Sequence, residues 1–283
     1  MQKGLKIISL GFGVQSSALY FMSSLGILPR CNYAIFADPG AEKESTYDYI
    51  SYVQQWQQDN NGIPIIICNE KNLFNDLTSS LQSDKKSGVP IPAFAIDADN
   101  KVGMINRQCT GDYKIDLIDK AIRNLYGLKP RFAMPSTEVW KGITMDEIQR
   151  ISQPRLKWHN AIYPFIGYRT TYRSVHKMSS GFLRWDRNQV INWLVDNGFR
   201  VPPKSSCVFC PYQKQSEFLR MKEENNSDWH KSLSVDSAIR NSINKGVDSP
   251  LYLLKSGIPL SEIQPSFAAP DLFENNCSDV CHV

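Results

Sequence analysis

The sequence lacks any stretch that approaches the roughly 20 uninterrupted apolar residues that a membrane-spanning helix needs. Residues 1–4 lead directly into an apolar run, without the apolar region and small-residue cleavage site of a secretory signal. Internal repeats and low-complexity tracts are also missing. These absences predict a cytoplasmic protein without a membrane partner.

Cysteine is scarce, and the seven cysteines among 283 residues are odd in number. A disulfide framework is therefore not expected in a chain without a signal. Clustered thiols in a reducing compartment are more often metal ligands or catalytic groups. Cys31 and Cys68 border predicted strands and are expected to pack in the core. The five candidates for chemistry are Cys109, Cys207, Cys210, Cys277 and Cys281.

Hydrophobic residues make up 42% of the chain and charged residues 21%, which predicts a packed core. The first half alternates strand and helix signals. Strands are predicted at residues 5–10, 33–36, 64–68 and 139–143, and helices at 15–25, 42–58 and 113–126. This alternation predicts an α/β fold with a parallel sheet and helices on both faces. Residues 83–107 show no clear period and are predicted to be a long loop.

We expect three regions along the chain. Residues 1–153 are predicted to form a nucleotide-binding α/β domain. Residues 154–247, which hold a basic and aromatic segment and a CxxC motif, are expected to pack on the same core. Residues 248–283 are predicted to be a C-terminal extension that carries a CxxxC motif.

A loop of small residues, Ser9-Leu10-Gly11-Phe12-Gly13-Val14-Gln15-Ser16-Ser17, joins the first predicted strand to the first helix. Small residues let backbone N–H groups approach an anion, and the helix N-terminus adds a positive dipole. A tight turn with a helix cap explains the loop equally well. The loop matches neither the dinucleotide fingerprint nor the Walker motif.

The Phe12-Gly13-Val14-Gln15 part of this loop resembles the adenine nucleotide α-hydrolase (PP-loop) superfamily, and most closely its phosphoadenylyl sulfate (PAPS) reductase branch. The resemblance covers about residues 5–215 and rests on further segments that occur in the family's order. These are Phe36-Ala37-Asp38-Pro39-Gly40 with Thr46-Tyr47, Lys114-Ile115-Asp116, Gly142-Ile143-Thr144-Met145-Asp146-Glu147 with Arg150, Tyr163-Pro164-Phe165, and Ser205-Ser206-Cys207-Val208-Phe209-Cys210-Pro211.

The resemblance implies an adenine nucleotide, either ATP or a sulfonucleotide, as ligand. The implied nucleotide-binding residues are Ser9, Gly11, Phe12, Gly13, Gln15, Ser16, Asp38 and Gly142. Lys114 and Arg150 are expected to neutralise phosphate or sulfate. Cys281, next to His282, is the expected nucleophile, although a role as a ligand only is equally open.

One departure from the family concerns Gln15, which stands where ATP-splitting members of the superfamily carry an acid. The glutamine argues against pyrophosphate cleavage of Mg–ATP and favours a nucleotide whose sulfate or phosphate is already attached. Asp38 and Glu42 are possible metal or ribose contacts, so Mg²⁺ stays a candidate cofactor.

Three interpretations compete for the clustered cysteines. By resemblance to sulfate reductases, Cys109, Cys207, Cys210 and Cys277 are candidate ligands of a 4Fe–4S cluster, with Cys281 as the other possible fourth ligand, or with one iron left open. Alternatively, two cysteine pairs bind a structural zinc, or two cysteines form a redox-active pair without metal.

Residues 155–187 contain seven Lys or Arg and a single acid, Asp186, interleaved with aromatic residues. This mixture suits single-stranded nucleic acid, such as tRNA or a DNA strand. Equally, the aromatic residues belong to the core and the cations line the nucleotide cleft.

Three functions therefore stay open. The first is PAPS reductase-like sulfonucleotide reduction or sulfur transfer, with a thiol reductant or a sulfur donor as partner. The second is ATP-dependent thiolation or phosphorothioation of a nucleic acid. The third is a non-enzymatic, zinc-stabilised module that binds nucleotide or nucleic acid.

Overall fold

A seven-stranded sheet forms the centre of the structure, a computed structural model that describes residues 4–82, 89–97, 99, 101–180, 182–240 and 249–265. In spatial order its strands are β3 (Ile65–Cys68), β2 (Tyr33–Ala37), β1 (Lys6–Ser9), β6 (Thr137–Trp140), β7 (His159–Tyr163), β8 (Tyr168–Thr171) and β9 (Ser174–Lys177). The first five strands pair in parallel, and β8 and β9 continue the sheet as an antiparallel hairpin.

Helices cover both faces of this sheet, because successive residues of β1 point to opposite sides. Ile8 belongs to a core formed with α1 (Val14–Ser24), α2 (Glu44–Asp59) and α5 (Arg187–Asp196). Its neighbour Ile7 packs in the core under α4 (Asp116–Leu125). The predicted α/β architecture is thus confirmed, with the sheet mostly rather than wholly parallel. Within the described residues, no helix combines the length and apolar content needed to cross a membrane.

The prediction of a loop at residues 83–107 was wrong. This segment contains strands β4 (Phe94–Ile96) and β5 (Val102–Met104), which form a small antiparallel sheet with β10 (Leu251–Tyr252). These strands are only two or three residues long, and β10 lies far along the chain, so local periodicity does not reveal them. This sheet packs in a second core with α3 (Leu73–Gln82), α6 (Gln215–Glu224) and α7 (Ser227–Arg240).

The order of the central strands creates a crevice beside β1. From β1 the chain adds β2 and β3 on one side, and later adds β6 and β7 on the other. The direction in which the chain adds strands to the sheet therefore reverses beside β1. In open parallel sheets, such a switch in direction is where ligands bind.

A π-helical turn, Gly111–Ile115, precedes α4, and a 3₁₀ segment, Met145–Arg150, follows β6. Both segments lie at the carboxyl end of the sheet. They carry Lys114 and Arg150, the two cations that the sequence assigned to the anion site.

The buried carboxylate of Asp236 ties α7 to the C-terminal part of the second core. It accepts hydrogen bonds from the backbone N–H groups of Leu253 (3.1 Å) and Leu260 (2.8 Å) and pairs with Arg240. Asp236→Ala is expected to lower the free energy of unfolding by about 3–5 kcal/mol, because it leaves a partly buried cation and two buried N–H groups without their acceptor. Chemical denaturation measures this loss.

The matched control is Asp99→Ala, which removes a carboxylate whose side chain is 77% exposed. We expect a change within about 0.5 kcal/mol. Equal effects of the two substitutions would contradict the role given to Asp236.

Candidate functional site

A cleft lies at the carboxyl ends of β1, β2 and β6, at the switch in strand order. Its volume is about 850 Å³, counting space open to solvent. Its lining includes Ser9, Leu10, Gly11, Gly13, Val14, Gln15, Ser16, Phe36, Ala37, Lys114, Ile118, Lys141, Gly142, Ile143, Arg150, Arg187, Pro203, Lys204 and Ser205.

The loop after β1 is shaped by Phe12. This residue has a φ of 53°, in the left-handed region that non-glycine residues rarely adopt. Its ring is fully buried and meets Phe36 edge to face, with the centroids 5.0 Å apart. Burial of the ring stabilises the strained backbone. Phe12 was predicted to bind nucleotide, but it is fully buried and is not part of the cleft lining.

Helix α1 begins at this loop, with Gly13 as its N-cap. Gly13 has no side chain with which to cap the helix, and the first amides of a helix have no acceptor within it. Gln15 and Ser16 lie in this first turn and line the cleft. The helix end therefore presents N–H groups and a positive dipole to an anion.

Gly142 fixes how closely the loop after β6 approaches the loop after β1. A Cβ atom at this position would lie 2.7 Å from the backbone carbon of Gln15 and 2.7 Å from the backbone nitrogen of Ser16. Only glycine fits so close to another backbone. The predicted residue Gly142 thus acts through its missing side chain, by letting the two loops touch.

The side chain of Gln15 is buried and bridges two ion-pairing groups. Its amide nitrogen donates to Glu147 (3.2 Å), and its amide oxygen accepts from Arg187 (3.1 Å). Glu147 in turn pairs with Arg150 at 2.9 Å. An acid at position 15 would bring a second negative charge against Glu147, so the neutral amide suits this network.

Five cationic side chains line the cleft, and no acid does among the residues that the structure describes. Lys114 and Arg150 were predicted from the sequence. Lys141, Arg187 and Lys204 were not, although Lys141 and Lys204 directly precede the quoted segments at Gly142 and Ser205. The structural interpretation of the basic segment assigned its cations to the cleft, but of the seven Lys and Arg in residues 155–187 the described lining contains Arg187 and not the other six.

Lys141 differs from an ordinary surface lysine. Burial lowers its pKa to about 8, against the opposing effect of Asp119 and with a further contribution from Arg150. Burial also raises the pKa of Asp119 to about 6. Lys141 therefore changes charge near neutral pH while it faces the cleft.

Glu42 lies fully buried behind the cleft and joins three distant parts of the chain. Its carboxylate accepts hydrogen bonds from Lys114 (3.1 Å) and from the hydroxyl of Ser205 (3.2 Å). Its backbone forms a β-bridge with Cys207. Glu42 was considered as a metal or ribose contact, but its side chain is used to hold Lys114 and Ser205.

A second cavity of about 380 Å³, counting space open to solvent, adjoins the cleft and contains three of the candidate cysteines. Cys109, Cys207 and Cys210 all line it, and Lys114 lines both this cavity and the cleft. The backbone N–H of Cys210 donates to the carbonyl of Cys207 (3.0 Å), which makes the CxxC motif a tight turn. The sequence signals thus converge on one place.

These three cysteines do not make a metal site by themselves. Among the described residues, no group of three or more His, Cys, Asp or Glu side chains is placed to hold a metal ion. The predicted ligand Cys277 and the predicted nucleophile Cys281 lie outside the described residues. Because the described donor set does not fit iron or zinc, we derive no chemical step through a metal.

The other predicted residues have clear positions. Asp38 is not part of the cleft lining, since its carboxylate accepts from the backbone N–H of Gly40 (2.8 Å) and the hydroxyl of Tyr47 (2.9 Å). Ser9, Gly11 and Ser16 line the cleft as expected. Cys31 and Cys68 are buried, and burial raises the pKa of both thiols.

No protein-family model matches the chain, and a search of curated proteins found no match either.

Gly142 and Gly13 offer a matched pair of substitutions. Gly142→Ala forces a methyl group against the backbone of Gln15 and Ser16, and we expect a loss of about 1–3 kcal/mol in unfolding free energy. At Gly13 no heavy atom lies within 4 Å of the added Cβ, so Gly13→Ala should cost less than about 1 kcal/mol. Thermal and chemical denaturation measure the unfolding free energy of the two variants. A larger loss for Gly13→Ala would disprove the loop contact.

Lys141 predicts a pH-dependent anion affinity. Below about pH 8 the side chain is protonated and attracts an anion, and above it this attraction disappears. Sulfate, whose charge stays constant, should bind about tenfold more weakly at pH 9.5 than at pH 7, as expected for loss of a charged hydrogen bond of about 1.5 kcal/mol. Sulfate titrations followed by the melting temperature measure this.

In Lys141→Met the weakening between these two pH values should be much smaller, because the arginines of the cleft stay protonated. A variant with the same pH profile as the parent protein would show that Lys141 does not contact the anion.

Proposed function

We propose that the cleft binds the phosphate or sulfate end of an adenine nucleotide, and that the chain is a PAPS reductase-like enzyme that carries out sulfur chemistry with its cysteines. The observation that carries this proposal is the position of Lys114. It lines both the cationic cleft and the cavity that contains Cys109, Cys207 and Cys210. An anion held by Lys114 therefore lies beside thiols.

The polar part of the cleft supports a ligand with more than one negative charge. The first turn of α1 offers backbone N–H groups, and five Lys or Arg side chains surround the same space. A charge-assisted hydrogen bond to a phosphate or sulfate oxygen is about twice as strong as a neutral one. Lys114 and Arg150 already pair with Glu42 and Glu147, and the excess of cations over acids in the described lining suits a ligand with more than one negative charge.

The apolar part of the lining supports a flat base. Phe36, Ile118 and Ile143 line the cleft together with the polar loop. Ligand sites commonly combine an apolar wall with a few well-placed polar groups. The choice of adenine over another base rests on the resemblance of the loop and its accompanying segments to the PP-loop superfamily.

The surroundings of Gln15 favour a ligand that arrives already activated. Mg²⁺ prefers carboxylate and phosphate oxygens as ligands, and no carboxylate lines the described cleft. Gln15 and Glu147 are engaged with each other and with arginines. A sulfonucleotide needs only positive charge on its leaving phosphate, which this cleft provides.

The reaction proposed for such a ligand has two steps. A cysteine thiolate attacks the sulfate sulfur, an S–S bond forms, and the S–O bond breaks so that the nucleotide leaves with the bridging oxygen. A thiol reductant then attacks the cysteine sulfur and releases sulfite, with its two electrons, as a mixed disulfide forms. In this proposal Lys114, which lines the cleft, stabilises the charge that develops on the leaving phosphate.

The same three-cysteine cavity also favours sulfur transfer to a nucleic acid as a second candidate. In that reaction a cysteine persulfide, loaded by a sulfur donor, would attack the position activated by adenylation, and AMP would leave with the oxygen. A second cysteine would then attack the resulting disulfide, which leaves one sulfur on the nucleic acid and forms a disulfide between the two cysteines. An iron–sulfur cluster completed by Cys277 or Cys281 stays a prediction for either reaction.

The proposal predicts that adenine nucleotides raise the melting temperature. Adenylyl sulfate, its 3′-phosphorylated form, AMP and ATP are compared with uncharged adenosine. A ligand at 100 times its Kd stabilises the folded state by about 2.7 kcal/mol, which corresponds to roughly 4–5 °C for a chain of this size. The sulfonucleotides should give the largest shifts, and adenosine little or none.

Arg150→Ala and Lys204→Ala should each reduce this ligand-dependent shift, measured against the unliganded form of the same variant. Lys101→Ala, which removes an exposed cation outside the cleft, should leave it unchanged. Absence of any shift with all four nucleotides would overturn the proposal.

An assay of sulfite release from the sulfonucleotides, with a dithiol as reductant, then distinguishes the candidate functions. Release supports reduction. Turnover of ATP only in the presence of tRNA or DNA supports thiolation. A colourless, zinc-containing protein that turns over neither would indicate the non-enzymatic module.

A further inference from the structure

We propose that a single-stranded nucleic acid binds at the amino end of the central sheet, on a surface formed by Lys157, Tyr172 and Arg173 and flanked by Arg131 and Phe132. We call it the amino-end surface. It lies at the opposite end of the strands from the cleft, and the proposal is independent of the function proposed above.

Strand pairing brings the parts of this surface together. Tyr172 and Arg173 form the turn between β8 and β9, where Thr171 pairs with Ser174. Lys157 precedes β7 and shares one open groove with Thr171, Tyr172 and Arg173. The groove is therefore built from two neighbouring connections of the sheet.

The loop before β6 ends at the same end of the sheet. The backbone N–H of Thr137 donates to the carbonyl of Trp158 (2.8 Å), and Asn160 donates to the hydroxyl of Ser136 (2.7 Å). These bonds hold the end of the loop against the start of β7. Arg131 and Phe132 lie in this loop, before β6.

The charge of the three segments is of one sign. Residues 127–136, 151–158 and 171–174 contain five Lys or Arg and no Asp or Glu. Among them, Arg155 forms an ion pair with Asp116 at 3.8 Å. Such a set of cations without acids attracts a polyanion along its length.

Exposed rings accompany these charges. The side chains of Phe132 and Tyr172 are 61% and 40% exposed, although large aromatic residues are usually buried. The guanidinium of Arg173 lies 5.7 Å from the centre of the Tyr172 ring. Exposed rings next to cations suit unpaired bases, which stack on the rings while the phosphates meet the cations.

Only some of the aromatic residues and cations in residues 155–187 can contact a nucleic acid at this surface. Tyr163 and Phe165 are fully buried, so they cannot stack on a base, and Arg187 faces the cleft. Tyr172 is exposed at the hairpin turn instead. A nucleic acid bound at the amino-end surface would lie about 16 Å from the cleft, a distance equal to the length of β7. The amino-end surface is therefore a docking surface and not the place of reaction.

The test measures binding of a fluorescein-labelled 12-nucleotide single strand, as RNA and as DNA, by fluorescence anisotropy over a series of salt concentrations. The expected result is binding that weakens linearly in log Kd against log salt. Each phosphate contact contributes about 0.7 to the slope for a single strand. The double substitution Lys157→Gln with Arg173→Gln should reduce the slope by about 1.4.

Tyr172→Ala should weaken binding about 5- to 150-fold, as expected for loss of one stacked base, with little change in the salt slope. Lys101→Gln together with Arg220→Gln removes two exposed cations outside this surface and should change neither affinity nor slope. Melting temperatures check that every variant is folded.

Two results would overturn the proposal: no binding of either single strand at 50 mM salt, or equal losses in the control and in the Lys157/Arg173 variant. A matched duplex bound as tightly as the single strands, with no effect of Tyr172→Ala, would also refute a stacking surface. The nucleotide-dependent rise in melting temperature is expected to be unchanged in all these variants, so failure here is distinguishable from failure of the cleft.

Discussion

The buried carboxylate of Glu42 is the contact on which the candidate site depends. A charge removed from water is costly unless it is paired and hydrogen-bonded, and Glu42 meets this requirement with Lys114 and Ser205. Because Glu42 and its two partners come from three separate parts of the chain, the pairing fixes the π-helical turn and the segment before Cys207 against each other. Lys114 is thereby held at the wall between the cleft and the cysteine cavity.

The sheet supplies the second half of the site through its strand order. Its switch in direction beside β1 opens the crevice, Gly142 lets two loops meet, and the buried ring of Phe12 holds the first loop in its strained conformation. The cationic side chains of the cleft come from the ends of neighbouring helices and strands. This arrangement is rigid where the ligand's anion would lie, since its backbone is fixed by core packing.

Much of the fold was predictable from the sequence, because β1, β2 and β3 are short apolar runs separated by helical segments. The cleft was partly predictable, since Gly142 and Lys114 lie in recognisable segments. Lys141 was not, because its low pKa arises from packing that no local pattern records. The strands in residues 83–107 were missed for a similar reason, since they pair with a distant segment. The exposed Tyr172 was hidden among aromatic residues that are mostly core.

The central claim is that the loop after β1 and the surrounding cations hold the anionic end of an adenine nucleotide beside Cys109, Cys207 and Cys210. A crystal structure of the protein with adenylyl sulfate bound tests it most directly. The account predicts the sulfate or phosphate oxygens against the amides of the first turn of α1 and within hydrogen-bond distance of Lys114. A nucleotide bound at another surface, with this cleft holding only water, would contradict it.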